Sequence, residues 1–363
     1  MPYHSGLQDV INDFLELEGK FPTLVTHEII GKSWENRDIY MFKIGNPKGG
    51  RVLLNGTTHG GEWTGTEVYC LYAHWLLESN TVKANRILSR NYTLIIPSLN
   101  VDGYDRKRRV NLNPKGGVNL NRNFPATWRT DCTILGECTN GTCPEGQQCI
   151  QGYCYKSGCA CGWSDIPGRH DYRGEAPASE PETKAMLAIL QRYKPKFVID
   201  YHTWDPNREF ARPSWRTGIT EQDKAYHRAI YDKCVEMWNK MAVPKPYPRY
   251  MALGICGGLA DDGYVTGGAT SFLIEGLSKD DCGGYINPPY ELIEEVAWPQ
   301  FLAVALVISS ECEIPSPIAG PLDIWTFPLV NWLATLFPNV GEKARVVCED
   351  IRLRIRKRTP SFQ

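Results

Sequence analysis

Apolar residues along this chain form short continuous runs that alternate with longer stretches of helical period. The short runs have the length of buried β-strands and lie at 51–58, 92–99, 197–201 and 269–274. The stretches of helical period lie at 7–20, 67–77, 180–192, 223–241 and 291–309. Because strands and helices alternate, the sequence predicts an α/β protein with a three-layer α/β/α architecture.

The first strand-like run leads directly into a histidine and a glutamate three residues apart, His59 and Glu62. A His and a Glu at this spacing after a strand can bind one cation, and zinc hydrolases use two such local ligands. The third ligand then comes from a distant part of the chain, and the fourth position stays open for water. The spacing also arises by chance, so the assignment depends on matching residues elsewhere.

Two later strand-like runs end in residues with the complementary chemistry, His202 and Glu275. Ligands of open α/β sheets bind beyond the carboxyl ends of the strands, so we expect both side chains at the same sheet edge as His59. His202 is then the distant metal ligand, and Glu275 can take a proton from a metal-activated water. Taken singly, His202 is equally explained as a loop histidine, and Glu275 as a surface carboxylate.

A basic, amide-rich segment follows the second strand-like run. Asn121 and Arg122 suit a free carboxylate, because the planar guanidinium binds carboxylates in bidentate fashion and the amide adds a donor. A second arginine nearer the metal would polarise the scissile carbonyl. The alternative is a solvated basic loop, and we assign Arg106, Lys107 and Arg108 to it.

In this order, the motifs resemble the M14 zinc metallocarboxypeptidases, over roughly residues 3–310. The matching segments are His59-x-x-Glu62-Trp63, 97–104, 119–125, Tyr201-His202, Gly257-Gly258 and 271–275. The resemblance implies a mixed, mainly parallel central sheet and one catalytic Zn²⁺ per chain. By that resemblance the zinc ligands are His59, Glu62 and His202, the general base is Glu275, and the clamp for the substrate's terminal carboxylate is Asn121 with Arg122.

The carbonyl-polarising arginine is also implied by the resemblance. Arg109 precedes Asn111 at the family's Arg-x-Asn spacing, and Arg108 is the alternative. The chain departs from the family pattern two residues before the Asn-Arg pair, where Asn119 replaces the usual Asp.

Further departures fall on positions that concern the substrate. Leu253 stands where the family has a substrate-capping tyrosine, and Tyr250 is the candidate to replace it. Ala260, at the expected pocket base, indicates a roomy neutral pocket, whereas Asp261 and Asp262 beside it would favour Lys or Arg. The preferred C-terminal residue therefore stays open.

Composition and charge exclude some function classes. The chain is 42% hydrophobic with a net charge of −1, which is typical of a soluble globule and gives no electrostatic basis for binding nucleic acid. We expect no transmembrane span, because the apolar tract at 324–337 is shorter than ~20 residues and contains Pro328. The basic segment at 352–358 after it allows a weak membrane-interface or partner contact, with plain packing as the alternative.

Cysteine is concentrated in one stretch, since seven of the 13 lie between Cys132 and Cys161. The stretch has too few apolar residues for a core, so we predict a Cys-rich insertion held by disulfides, with a structural metal or free thiols as alternatives. Within it, 138–143 and 149–154 repeat one pattern. One of the seven is then free or pairs with a cysteine outside the insertion.

These observations predict a catalytic domain at 1–312, with the insertion at 132–161, and a C-terminal appendage at 313–363. The cysteine density favours a secreted or extracytoplasmic protein. The chain shows no signal-peptide pattern, so an intracellular protein is the alternative.

The expected function is that of a zinc-dependent metallocarboxypeptidase, which hydrolyses the C-terminal peptide bond of peptides or proteins. Metal-activated water would attack, with a glutamate as general base. One alternative is a same-fold hydrolase of a different amide, such as a cell-wall peptide or an acylated amino acid. The other is a non-catalytic binding protein that uses the Cys-rich insertion. The presence of all three ligand candidates and Glu275 favours an enzyme.

Overall fold

The computed structural model describes residues 3–129, 134–150, 152–157, 162–203, 208–247, 249–277, 283 and 286–312. The predicted appendage at 313–363 lies outside the described residues, as do Cys132, Cys159 and Cys161 of the insertion. The domain boundaries therefore stay a prediction.

The described strands form one large sheet and one small sheet. In chain order they are β1 (Val25–Lys32), β2 (Asp38–Gly45), β3 (Gly50–Asn55), β4 (Asn91–Ile96), β5 (Gly136–Glu137), β6 (Gln147–Ile150), β7 (Tyr153–Lys156), β8 (Phe197–His202), β9 (Glu209–Arg212), β10 (Arg249–Ala252) and β11 (Thr270–Glu275). The four predicted strands correspond to β3, β4, β8 and β11.

The helices include every one that the sequence pattern predicts. In chain order they are α1 (Leu7–Lys20), α2 (Thr64–Glu78), α3 (Val82–Arg90), α4 (Val101–Asp105), α5 (Pro181–Tyr193), α6 (Glu221–Lys240), α7 (Leu259–Val265), α8 (Tyr290–Leu292) and α9 (Trp298–Cys312). Short 3₁₀ turns at Leu120–Arg122, Pro125–Thr127 and Trp215–Thr217 connect them.

The large sheet has the order β1-β2-β4-β3-β8-β11-β9-β10. The pairs β4/β3, β3/β8, β8/β11 and β9/β10 are parallel, and the remaining three pairs are antiparallel. All six residues of β8 are buried, as expected for a central strand that is covered on both faces. The prediction of a mixed, mainly parallel sheet is confirmed.

Helices cover both faces of the sheet, and two glycines identify the layers. A methyl group added at Gly65 of α2 would lie 2.9 Å from the Cβ of Tyr201, and one added at Gly263 of α7 would lie 3.2 Å from the Cβ of Val198. Tyr201 and Val198 are three residues apart on β8, so their side chains point to opposite faces. The two helices therefore pack on opposite sides, which confirms the three-layer architecture.

The helical stretch from Tyr290 to Cys312 is continuous but irregular. Its π-helical turn, Ile293–Ala297, ends just before Trp298-Pro299, where proline lacks the N–H for a regular helical hydrogen bond. This stretch is long and apolar enough to cross a membrane, yet 61% of its most apolar window is buried within the fold. Its burial is that of a core helix packed on α6 and β3.

The described part of the insertion is a small sheet held by disulfides, as predicted. The strands have the order β5-β7-β6. Disulfides join Cys138 to Cys149 and Cys143 to Cys154, and each closes a sequence separation of 11. The two copies of the repeated pattern are thus joined at equivalent positions. Cys256, outside the insertion, is also disulfide-bonded.

Candidate metal centre and substrate cleft

The carboxyl ends of β3, β8 and β11 lie at one edge of the sheet, because these neighbouring strands are parallel. The turn after β3 carries His59 and Glu62. A methyl group added at Gly60 would lie 2.2 Å from the carbonyl carbon of Gly103, so only glycine fits between the two candidates. His59 Nδ1 lies 2.8 Å from Glu62 Oε1, and both side chains are buried.

His202, the last residue of β8, meets this pair. Its Nδ1 lies 3.0 Å from Glu62 Oε2 and 3.2 Å from His59 Nδ1. The ligand atoms of the three residues all lie within 4.8 Å of one another, and all three residues are buried. The fold therefore brings together the three residues that the sequence suggested as metal ligands, across 143 positions of chain.

A buried carboxylate orients the His202 ring. Asp200 Oδ2 lies 2.8 Å from His202 Nε2. Asp200 Oδ1 accepts hydrogen bonds from Asn55 Nδ2 at 2.8 Å and from the Thr58 hydroxyl at 2.9 Å. A carboxylate on the far nitrogen of a ligand histidine fixes the ring and its tautomer, and leaves Nδ1 directed at the centre. Asp200 was not among the predicted site residues, although its place two residues before His202, on the same face of the strand, was a usable signal.

Asn119 orients the His59 ring in the same way. Its Oδ1 lies 3.0 Å from His59 Nε2 and also accepts from the backbone N–H of Asn121 at 3.0 Å. The amide oxygen thus provides the acceptor at the position where the resemblance expected Asp. Both histidines consequently present Nδ1 to the centre.

The residues of the centre differ in charge, because His59 is neutral and Glu62 is ionised. Burial, together with the charge of Arg109, lowers the pKa of His59 to about 4, so this ring is neutral. Burial alone would raise the pKa of Glu62, but the two histidines lower it well below its ordinary value. Burial opposes protonation of His202 as well, yet Asp200 and Glu62 raise the pKa of that ring.

The donor set fits a zinc ion. Two imidazole nitrogens and one carboxylate are a ligand combination of catalytic zinc sites, in which the fourth position is open. The negative charge of Glu62 and the outer carboxylate of Asp200 are buried together, and a divalent cation would compensate both. A neutral His59 is in the protonation state that ligation requires.

A cavity of about 330 Å³ lies beside the centre. Its polar lining includes His59, Arg109, Asn121, Arg122 and Glu275. One ligand candidate, His59, and the base candidate, Glu275, therefore border the same cavity as the predicted carboxylate clamp.

Arg122 is a buried cation in this lining. Its Nε donates to the carbonyl of Gly162 at 2.6 Å, and one terminal nitrogen donates to the carbonyl of Asn121 at 2.9 Å. Burial and the nearby charge of Arg109 lower the pKa of Arg122 to about 9. Among the described residues no carboxylate forms a direct ion pair with it, so a bound anion could make that pair with the guanidinium.

Asn121 and the two alternative arginines differ in their roles. Asn121 Oδ1 accepts from the backbone N–H of Leu259 at 3.0 Å, which directs its amide nitrogen away from that contact. Arg109 donates to Glu62 Oε1 at 3.1 Å with its side chain 37% exposed. Arg108 instead reaches the carbonyl of Gly116 at 3.4 Å. Of the two arginines, Arg109 is the one at the metal centre.

The specificity candidates occupy three different environments. Tyr250 packs on Tyr231, with ring centroids 4.9 Å apart, and does not line the cavity, whereas Leu253 does. Ala260 is fully buried behind the cavity wall, in a cluster that includes Leu253. Asp261 is buried, and both of its carboxylate oxygens accept hydrogen bonds within the fold.

Asp261 links two loops. Its Oδ1 accepts from the backbone N–H of Ser214 and its Oδ2 from the Thr127 hydroxyl, each at 2.7 Å. Burial raises the pKa of Asp261 to about 6. The side chain therefore holds the wall together and is absent from the cavity lining.

Glu209 and Met251 line the cavity, and the sequence analysis missed both. Glu209 pairs with Arg249 at 2.7 Å across β9 and β10. The remaining wall is apolar and consists of Ala211, Leu253, Ile255 and Leu273. The strand positions alternate, so Glu209 and Ala211 share the face that borders the cavity.

Comparisons with known proteins agree with this geometry. The family described as zinc carboxypeptidase matches residues 11–206, which contain the three ligand candidates and Asn121-Arg122. Mast cell carboxypeptidase A of Homo sapiens is 27% identical over 206 residues, which are 51% of this chain and 41% of that protein. Carboxypeptidase B of Rattus norvegicus is 27% identical over 189 residues, 47% of this chain and 37% of that protein. The matches thus span less than half the length of these relatives.

Solved structures share the fold. Bovine thrombin-activatable fibrinolysis inhibitor, in a complex with tick carboxypeptidase inhibitor, superposes with a TM-score of 0.65 at 21% identity, covering 85% of this chain and 97% of that one. Carboxypeptidase A from Helicoverpa armigera gives a TM-score of 0.64 at 19% identity, covering 85% of this chain and 74% of that one.

Proposed function

This chain belongs to the zinc carboxypeptidase family, and from that premise we propose that it is a zinc-dependent metallocarboxypeptidase. It would hydrolyse the C-terminal peptide bond of peptides or proteins. The observation that carries the proposal is the buried convergence of His59, Glu62 and His202 beside a cavity that also contains Glu275 and Arg122.

His59, Glu62 and His202 would hold the zinc. A zinc ion in such a site polarises the scissile carbonyl and makes water a better nucleophile at neutral pH. Glu275 would accept the proton of the attacking water and then deliver it to the departing amine, as a carboxylate general base does. Its position at the end of β11, in the cavity lining, supports this role.

Arg122 and Asn121 would bind the free carboxylate of the substrate. The contact with Gly162 uses Nε of Arg122, and the contact with Asn121 uses one terminal nitrogen, so within the described part of the chain the second terminal nitrogen remains for a ligand. The buried cation supplies the charge that selects a chain terminus over an internal peptide. This selection would make the enzyme an exopeptidase.

Arg109 would stabilise the negative charge that develops on the carbonyl oxygen. Its guanidinium lies next to Glu62, and its partial exposure lets it turn from that carboxylate toward a substrate. A cation aimed at the developing oxyanion is among the larger contributions to catalysis.

The cavity wall supports a preference for apolar C-terminal residues. Ala211, Leu253, Ile255 and Leu273 form that wall, and the charge of Glu209 is compensated by Arg249. Asp261 is engaged elsewhere, so its carboxylate does not attract a basic side chain.

The disulfides of the insertion support an oxidising compartment. Cys138–Cys149 and Cys143–Cys154 would persist in secreted or extracytoplasmic proteins and would be reduced in an ordinary cytosol. We therefore place the enzyme outside the cytoplasm.

The test is a comparison of one peptide in two forms. Zinc-loaded protein should release the last residue of the free-acid peptide and leave its C-terminal amide nearly intact. Equal cleavage of both would favour the alternative hydrolase of a different amide, and no cleavage of either, with zinc bound, would favour the binding protein.

A further inference from the structure

A second cluster of metal-ligating side chains lies where the segment before α1 meets α1 and α2. It contains His4, Asp13 and Cys70, whose ligand atoms all lie within 4.8 Å of one another. Nothing in the proposed hydrolysis uses these residues. The cluster combines an imidazole, a carboxylate and a thiol, which is a mixed donor set of the kind that zinc binds.

The His4 ring is held in a ligand-like orientation. Its Nδ1 lies 2.9 Å from Oε2 of Glu67, and its backbone N–H donates to the other oxygen of that carboxylate at 3.2 Å. Glu67 has no exposed surface. A buried carboxylate on one ring nitrogen is the arrangement that orients metal-binding histidines, and it leaves Nε2 for the cation.

The Nε2 of His4 faces Asp13. The distance to Oδ2 is 3.8 Å, which is too long for a hydrogen bond. Two ligand atoms on one tetrahedral zinc, with bonds near 2.0–2.2 Å, are separated by about 3.4 Å. The gap therefore matches a bridging ion better than a direct contact. Asp13 is also fixed by His74, whose Nε2 lies 2.9 Å from Oδ1 and 3.1 Å from Oδ2.

Cys70 supplies the third donor. It is a free thiol, only 4% exposed, on α2. It follows Glu67 by three residues, so both side chains lie on the same face of the helix. The side chains of His4 and Asp13 are 23% and 22% exposed, which leaves a path for a cation and for a water ligand.

We propose that His4 Nε2, the Asp13 carboxylate and Cys70 Sγ form a second divalent-metal site, which takes Zn²⁺ in a structural role. The ion joins the segment before α1 to α1 and α2. That segment also carries Tyr3, whose hydroxyl donates to the carbonyl of Pro288 at 2.7 Å and whose ring packs edge-on against Trp63. The site thereby secures a segment that packs on the residue directly after Glu62. It is independent of the proposed function.

The sulfur ligand makes a selective experiment possible. The His59–Glu62–His202 centre contains no sulfur, and among the described residues the second cluster is the one that joins a free thiol to other metal ligands. A thiolate-to-metal charge-transfer band that depends on Cys70 therefore reports on this site when the full chain is loaded with Co²⁺. We expect this near-ultraviolet band in the wild type, together with two Co²⁺ per chain by elemental analysis. Cys70→Ser should lose the band and one equivalent of metal while it keeps peptide hydrolysis. Asp13→Asn should weaken the retention of the same equivalent during dialysis.

Matched variants separate the two sites. Cys234→Ser removes another buried free thiol and should keep the band and both metals. His202→Ala should lose one metal and keep the band. A wild type with no charge-transfer band, or a Cys70→Ser variant that still binds two metals, would overturn the second site. A wild type with the band but only one metal would support this site and contradict the proposed catalytic zinc.

Discussion

Glu275 and His202 are direct neighbours in the central sheet, because β11 pairs with β8 in parallel with these two residues in register. Adjacent strands are about 4.8 Å apart, so the backbone ladder itself sets the separation between the candidate base and the candidate metal ligand. Both residues are the last of their strands, where the chain leaves the sheet toward the cavity.

Replacing Glu275 by Gln should leave folding and zinc content intact and lower kcat by at least ~10²-fold, the scale of lost general-base catalysis. The amide has nearly the volume of the carboxylate but cannot accept the proton. Steady-state kinetics on a free-acid peptide would measure the change, with metal analysis as the control. Turnover close to the wild-type rate would mean that Glu275 is not the base.

His202→Ala should abolish tight zinc binding at the catalytic centre, because two remaining ligands hold zinc poorly. His227→Ala is the matched control. His227 is also a buried histidine whose pKa burial lowers to about 4, but its Nδ1 contacts the backbone carbonyl of Asp223 at 2.7 Å. After dialysis, the His227→Ala variant should still hydrolyse peptides, whereas the His202→Ala variant should not. Full activity of the His202 variant would remove this residue from the ligand set.

Arg122→Ala should weaken binding of the substrate's terminal carboxylate. A charge-assisted clamp contributes about 1.5–3 kcal/mol, so the preference for free acid over amide should fall roughly 10- to 100-fold. Arg108→Ala removes a neighbouring cation that contacts Gly116, and it should keep the preference. If both variants behaved alike, general electrostatics would explain the effect better than a clamp.

Glu182→Gln should flatten the dependence of stability on pH. Burial raises the pKa of Glu182 from 4.5 to about 7, while Asn111 Nδ2 donates to its Oε2 at 3.0 Å. A carboxyl group with a raised folded-state pKa contributes stability below pH 4.5 that is lost as the pH rises through about 7. The variant should therefore gain up to about 3 kcal/mol over the wild type at pH 8 and nothing at pH 4. Urea unfolding at the two pH values measures this, and an equal difference at both would contradict it.

When the protein is given a mixture of peptides with different C-terminal residues, it should release apolar C-terminal residues fastest. The apolar cavity wall formed by Ala211, Leu253 and Leu273 would contact the substrate's last side chain. Asp261→Asn should lower the free energy of unfolding, because the amide nitrogen would face a donor, yet leave this ranking unchanged. A loss of Lys and Arg release in that variant alone would instead assign Asp261 to the substrate pocket.

The sequence predicted the elements that depend on local pattern. Continuous apolar runs identified β3, β4, β8 and β11, because strands buried on both faces show no alternation. The strands β1 and β2 went unpredicted, since β1 alternates irregularly between exposed and partly buried positions. The short strand β9 exists through its pairing with β11, and the short strand β10 through its pairing with β9, and neither shows a strand pattern of its own.

The structure brings together the site candidates that lie at strand ends, and it places elsewhere those whose position depends on packing. His59, Glu62 and His202 converge because parallel strands end together. The burial of Asp261 by Ser214 and Thr127 is a tertiary contact that the sequence does not contain. Tyr250 likewise lies on Tyr231, outside the cavity, for reasons of packing alone.

The separation of Glu62 and His202 by 140 positions has a consequence for biosynthesis. While the ribosome is still making the middle of the chain, the nascent polypeptide holds only the first two donors of this centre and cannot retain a zinc ion there. Metal acquisition must therefore wait until β8 has emerged and inserted beside β3. In a cell short of zinc, newly made chains would accumulate folded but unloaded, and their supply of metal would set the rate at which active enzyme matures.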